Sequence, residues 1–286
     1  MAIEQVVING MVLGCIIALS AIGLTVTYRI LNFANFAHGD FVTLGAYIAF
    51  LFSAILGLNF LAACALAIAA AALFSVGLDC LIWKPMRSKG ASSTALMILS
   101  IGLAICLRNL IVFVFTPDIE RFPLPVKEGM TLGGVVITPY QVAVTAVAVV
   151  LMFAVHYLLR KTSIGLAMRA LSDNMDLARV SGIDVDRVVR YTWATGMALA
   201  AAAGILYGLI TNINPNMGWF MVIPIFAAVI LGGIGNPYGA MMGGIIIGLS
   251  QELSTLILPS EYKIAVSFFI MIVVLLVKPK GLMGGG

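Results

Sequence analysis

Charge is the scarcest property of this chain. Only 10% of its 286 residues are Asp, Glu, Lys or Arg, against roughly 25% in soluble domains. Histidine occurs twice, as His38 and His156, far apart in sequence. That rules out the dense ligand sets of zinc or histidine-based chemistry, and HExxH and GxSxG are both absent. No GxxxxGK[ST] loop is present either, so the chain has no phosphate cradle of its own for hydrolysing a nucleotide. The four cysteines, Cys15, Cys64, Cys80 and Cys106, sit singly in apolar runs without CxxC spacing and read as small packing residues. His156, near the end of an apolar run, reads as an interfacial side chain. No cofactor is expected on this chain, and an enzyme is disfavoured because no acid, base and nucleophile converge.

What fills the space is hydrophobicity. Apolar residues make up 62% of the chain, more than a water-soluble core can hide. Runs such as Leu61 to Leu78 and Ile264 to Val277 are interrupted by single polar residues rather than by solvated loops, as expected when lipid is the solvent. The fold class is therefore all-α, a polytopic transmembrane helical bundle forming one domain over residues 1–286. At roughly 20 residues per crossing there is room for about eight or nine spans. They are expected at Val6 to Tyr28, Asp40 to Leu58, Phe60 to Trp83, Ser93 to Phe115, Pro139 to Leu159, Tyr191 to Thr211, Trp219 to Leu231, Ala240 to Leu258 and Tyr262 to Val277; the second and seventh are the least regular. The first span follows Met1-Ala2-Ile3-Glu4 with no basic leader or cleavage site, so it is expected to remain as a helix.

Orientation follows from the basic residues. With the N-terminus outside, twelve of them, from Arg29 to Lys280, fall on the cytoplasmic side, whereas only Arg121, Lys127 and Lys263 fall outside and Arg108 stays within a span. This is a positive-inside pattern with a cytoplasmic C-terminus. A net charge of +4 spread between spans forms no basic stripe, so nucleic acid is not an expected partner. Two polar segments remain. Residues 116–138, with Pro117, Pro123, Pro125, Gly133-Gly134 and the β-prone Val135-Val136-Ile137, read as an external loop carrying a small hairpin. Residues 160–190 read as a cytoplasmic segment in which Asp173 or Asn174 caps a short helix, Met175 to Ser181, and Gly182 ends it.

Glycine and proline cluster at Asn32 to Gly45 and at Leu231 to Gly248, where helical spans are expected to break. Asn32, Asn35, His38, Gly39 and Asp40 would be costly against lipid and are candidates for a polar pathway or gate; a solvated turn after Arg29 is the plainer reading. A weak echo of Gly10-Met11 and the following NFANFAHG run recurs at Gly196-Met197 and the run from Asn212 to Gly218, on the opposite side of the membrane, as in an inverted repeat. Among carboxylates away from helix ends only Asp40 and Glu252 remain, few for ion coupling. Arg108, about seven residues or roughly 10 Å below its external end, falls at the depth of Glu252. The two are expected to pair inside the bundle, the alternative being that Arg108 snorkels outward.

Taken together, Gly10-Met11-x-x-Gly14, Ala21-x-Gly23-Leu24-Thr25, Asn35-Phe36-Ala37-His38-Gly39-Asp40 with Leu44-Gly45-Ala46-Tyr47, Gly165-x-x-x-Arg169-Ala170-x-x-Asp173, and Leu231-Gly232-Gly233-x-Gly235-Asn236-Pro237-x-Gly239-Ala240 resemble the LivH-type permease of branched-chain amino-acid ABC importers, across most of the chain. The resemblance implies a subunit of a bacterial inner membrane. Its implied partners are a second, related permease, two ABC ATPase subunits that use the ATP, an external substrate-binding protein and the lipid bilayer. It also implies that Gly165, Arg169, Asp173, Asp176, Leu177, Ala178 and Gly182 couple to an ATPase. The run Asp176-Leu177-Ala178-x-x-x-Gly182 departs from the importer motif EAA-x-x-x-G at its first two positions and lacks the downstream Ile-x-Leu-Pro. Leucine, isoleucine and valine are not separable here from other amino acids, short amides or urea. The alternative function is a secondary transporter or facilitator for small amino acids or amides, working without ATPases.

Overall fold

The computed structural model describes residues 3–132 and 134–284; Met1, Ala2 and the Gly133 half of the expected loop's glycine pair lie outside them. Helix α1 spans Ile3–Leu31, and after the irregular stretch 32–37, α2 spans His38–Phe50 and continues through a π turn, Leu51–Ile55. Helix α3, Phe60–Leu78, runs through a second π turn, Asp79–Trp83, into α4, Lys84–Ser88; α5 is Ser93–Phe115. The polar loop carries the expected hairpin, β1 Met130–Leu132 against β2 Val135–Ile137. Then come α6 Pro139–Lys161, α7 Ser163–Asp173, α8 Met175–Val180, α9 Val185–Ile210, α10 Met217–Gly232, α11 Pro237–Ser254 and α12 Lys263–Val277.

Side chains mark most of these starts. Ser92, Thr162 and Asp184 each accept a backbone N–H from the first turn of the helix they precede. Thr138 and Gln141 form a reciprocal capping box ahead of α6. In a bilayer these caps matter more than in water, because an unsatisfied amide near lipid has no solvent to turn to.

Every expected span corresponds to a helix, but among the described residues seven are long and apolar enough to cross a membrane. The second span is continuous, as His38–Ile55. The seventh is α10, whose 16 residues reach only about 24 Å at 1.5 Å per residue, and the eighth, α11, is not among the seven.

The inverted repeat is visible in the packing. Helix α1 lies against α11 as α9 lies against α3; α2 packs on α9 and α10 on α1; α2 touches α5 and α10 touches α12; and α2 meets α10. Exchanging α1, α2, α3 and α5 for α9, α10, α11 and α12 preserves these neighbours. Helices α1, α2 and α9 are largely buried, whereas α3, α5, α6 and α12 leave most of their surface exposed. The most extensive seam, α1 on α11, is made by small residues four apart: Gly10, Gly14 and Ala18 on one side meet Gly244, Gly248 and their neighbours on the other. Without side chains in the way the two backbones approach closely, which is how helices associate when lipid removes the hydrophobic drive.

Candidate translocation site and coupling helix

The stretch 32–37 is the broken element expected from its composition. Asn32 begins it at φ 54°, a left-handed conformation that Asn tolerates. The chain then turns back into the bundle. Ser100 Oγ on α5 accepts the Phe36 N–H at 3.0 Å, and Asn35 Oδ1 accepts the Ala37 N–H at 3.1 Å. His38, the first residue of α2, is buried, and its Nε2 lies 2.9 Å from the carbonyl oxygen of Ser20, midway along α1. Helix α2 therefore starts inside the bundle and not at its edge.

The same happens in the second repeat. After α9 the chain runs irregularly to Asn216, and α10 begins beside α2. A Cβ on Gly39 would collide with the Gly218 carbonyl, and one on Gly218 with the Gly39 carbonyl. Thr43 Oγ1 accepts the otherwise unpaired Gly218 N–H at 3.0 Å. Two helix N-termini thus cross in the interior at a glycine pair.

Asp40, fully buried in the first turn of α2, is held by Arg108 from α5 through two contacts, Nε to Oδ1 at 3.1 Å and Nη2 to Oδ2 at 3.3 Å. The guanidinium also sits over the ring of Trp219 in the first turn of α10, 4.4 Å from its centroid, a favourable cation–π geometry. This corrects the expected Arg108–Glu252 pair. Glu252 is bound instead by Lys263 at 2.6 Å. Depth along the membrane matched Arg108 with Glu252, but α5 packs on α2 while α11 packs on α1, α10 and α12, so the two side chains belong to different seams.

Of the five residues expected at a pathway, Asn35, His38, Gly39 and Asp40 come together in the interior, and Asn32 stands exposed at the end of the bundle that holds Arg29. Their partners Ser20, Thr43, Ser100 and Trp219 were not singled out from the sequence. Lone hydroxyls in apolar runs carry no positional signal until a broken helix is placed beside them.

At the Arg29 end, α7 folds back against α6, and α8 packs on α7 and α9. A Cβ on Gly165 would strike the carbonyls of Leu158 and Leu159, so only glycine lets α7 turn this tightly. Arg169 Nη1 donates to the Leu159 carbonyl at 3.0 Å and closes the end of α6. Of the two capping candidates Asn174 fills the role: its Oδ1 accepts the Leu177 N–H at 2.9 Å, while Asp173 ends α7 and lies 3.7 Å from Arg29. Gly182 at φ 87° closes α8, with its N–H on the Arg179 carbonyl and the Ile183 N–H on that of Ala178, the Schellman arrangement. Ala178 is buried toward the bundle, whereas Leu177 and Val180 are 61% and 81% exposed.

Residues 6–275 match the family described as branched-chain amino acid transport system / permease component. The high-affinity branched-chain amino acid transport system permease proteins BraD of Pseudomonas aeruginosa and LivH of Escherichia coli K12 are 32% and 34% identical to this chain. Each alignment covers 98% of this chain and 95% of the relative. A probable branched-chain permease LivH of Methanocaldococcus jannaschii is 31% identical over 98% of this chain and 93% of the relative. Among solved structures, PsaBC from Streptococcus pneumoniae in complex with Fab superposes with a TM-score of 0.52 at 16% identity, covering 98% of this chain and 93% of that one; this is a likeness of fold. The chain is a polytopic membrane protein and belongs to the family of permease components of branched-chain amino acid transport systems.

Proposed function

We propose that this chain is one of two related permease subunits of an ATP-driven importer for branched-chain or similar amino acids, receiving ligand from an external binding protein. It contributes half of the translocation pathway and is driven by two separate ATPase subunits through α8. The observation that carries the reading is the build of α8. It is fixed at one end by Asn174 and at the other by the Gly182 turn, and it turns Leu177 and Val180 to the outside at the end of the bundle rich in Arg and Lys. A short helix fixed at both ends transmits a push that a loose loop absorbs, and two neighbouring exposed apolar side chains on an otherwise polar segment suit a protein groove. That basic end is assigned to the cytoplasm of a bacterial inner membrane, with the N-terminus outside. The crossing at Gly39 and Gly218, pinned by Asp40 and Arg108, is the joint about which the two repeats move.

The test is transport by the assembled complex in proteoliposomes with loaded binding protein inside the substrate compartment. Uptake of labelled leucine or valine should require ATP on the α8 side and persist when ion gradients are collapsed. Uptake by this chain alone, without ATP and abolished by a protonophore, would establish the secondary-transporter reading instead.

A further inference from the structure

At the basic end of the bundle, the last turns of α1 and α6 and the second half of α7 meet the first turn of α11 around a cavity of about 200 Å³. Three guanidiniums line it, Arg29 from α1, Arg160 from α6 and Arg169 from α7, together with Ser172 and Tyr238; no carboxylate does. Each guanidinium carries five N–H donors, and almost none are used. Arg169 gives one to the Leu159 carbonyl at 3.0 Å. Arg29 comes only within 3.7 Å of Asp173, beyond hydrogen-bond distance and on a side chain that is 76% exposed. Arg160 rests on the ring of Tyr238, 5.6 Å from its centroid, and Tyr238 Oη is fixed in turn 2.9 Å from His156 Nδ1. The C-terminal ends of α1, α6 and α7 bring roughly half a negative charge each and the start of α11 roughly half a positive one. The three full charges outweigh them, so the cavity is a positive site.

The surface leading to it is apolar. On α6, a helix that leaves most of its length exposed, Val149, Phe153, His156 and Arg160 follow one another at spacings of four, three and four and so share one face. Val149 and Phe153 are 37% and 69% exposed. An exposed apolar stripe in a membrane span thus ends on the arginines.

We propose that this cavity binds a phosphate anion and that its occupant is the headgroup of an anionic phospholipid. Guanidinium forks match phosphate oxygens in pairs, and anionic lipids are a feature of the cytoplasmic leaflet, the side to which this basic end is assigned. The phosphate takes Arg29, Arg160 and Arg169, and an acyl chain lies along Phe153 and Val149. One headgroup held by three helices ties α7, and with it α8, to α1 and α6.

The full chain, purified in mild detergent, is to be titrated with dioleoyl phosphatidylglycerol, dioleoyl phosphatidylcholine, dioleoylglycerol and inorganic phosphate, and bound lipid counted by native mass spectrometry. Phosphatidylglycerol should bind in preference, with the zwitterionic and the uncharged lipid at least about tenfold weaker, the loss of one charge-assisted hydrogen bond. Arg160→Gln and Arg29→Gln should each weaken phosphatidylglycerol by a similar factor. Lys89→Gln, an equal loss of charge at the same end but away from the cavity, should not. The lipid series on the unmodified chain keeps the test valid should a variant fail to fold. Equal binding of charged and neutral lipids, or an equal effect of the three substitutions, overturns the site. Displacement of phosphatidylglycerol by inorganic phosphate at equal concentration overturns the lipid as occupant, and loss of the bound lipid on assembly with partner subunits, which would show that protein covers the cavity, does so too.

Discussion

Arg108 of α5 grips Asp40 of α2 with two contacts, at 3.1 and 3.3 Å, inside a bundle that otherwise buries few charges. Asp40 is wholly buried, and the Arg108 side chain is 18% exposed. The geometry is close to the parallel fork of a guanidinium on a carboxylate, and Trp219 covers its face.

Removing one partner should therefore cost far more than removing both. Arg108→Met strands the Asp40 carboxylate and should destabilise by about 3–5 kcal/mol, whereas Arg108→Met with Asp40→Leu should recover much of that loss. Thermal unfolding of the detergent-solubilised chain reads both. Equal destabilisation by the single and the double variant would show that the bridge matters only through its shape.

The crossing of α2 and α10 makes a steric prediction. Gly218→Ala places a methyl group on the Gly39 carbonyl, and the backbone has to move. A drop of at least about 1–3 kcal/mol is expected, seen as lost monodispersity in size-exclusion chromatography. Gly102→Ala on α5, where a Cβ meets nothing within 4 Å, is the control and should be silent.

Gly182 makes a conformational one. A Cβ there touches nothing, so only its φ of 87° resists substitution. Gly182→Val should cost about 1–2 kcal/mol locally and turn α8 away from its present direction. Gly182→Asn, which accepts a left-handed backbone, should behave as the unmodified chain. In the assembled transporter, ATPase stimulation by loaded binding protein should fall for Val and hold for Asn.

The outward face of α8 can be tested without touching the fold. Leu177→Asp and Val180→Asp change exposed side chains and should leave the melting temperature within about 0.5 kcal/mol equivalent, yet abolish co-purification of the ATPase subunits. Ala178→Asp, on the buried face, should instead unfold the local structure. Intact copurification of both exposed variants would place the ATPase contact elsewhere.

Much of this protein was legible in one dimension. Hydrophobic run length gives the helices, because lipid forces every backbone amide into an internal hydrogen bond. Asn35, His38, Gly39 and Asp40 marked the broken helix, since clustered polar residues are costly against lipid, although the same letters also fitted a solvated turn. Gly182 and the pair Asp173-Asn174 marked the ends of α8, because caps depend on local backbone geometry, and the structure decided for Asn174 as the cap. What the tertiary structure decided is which seam each polar side chain enters. Depth is a property of sequence position and put Arg108 level with Glu252. Rotation about the bundle axis is not: it depends on which helices pack against which, and the inverted repeat swaps α11 onto α1 and places α5 beside α2. Asp40 therefore became the partner of Arg108, and Lys263 that of Glu252, because a buried charge binds the opposite charge across its own helix contact.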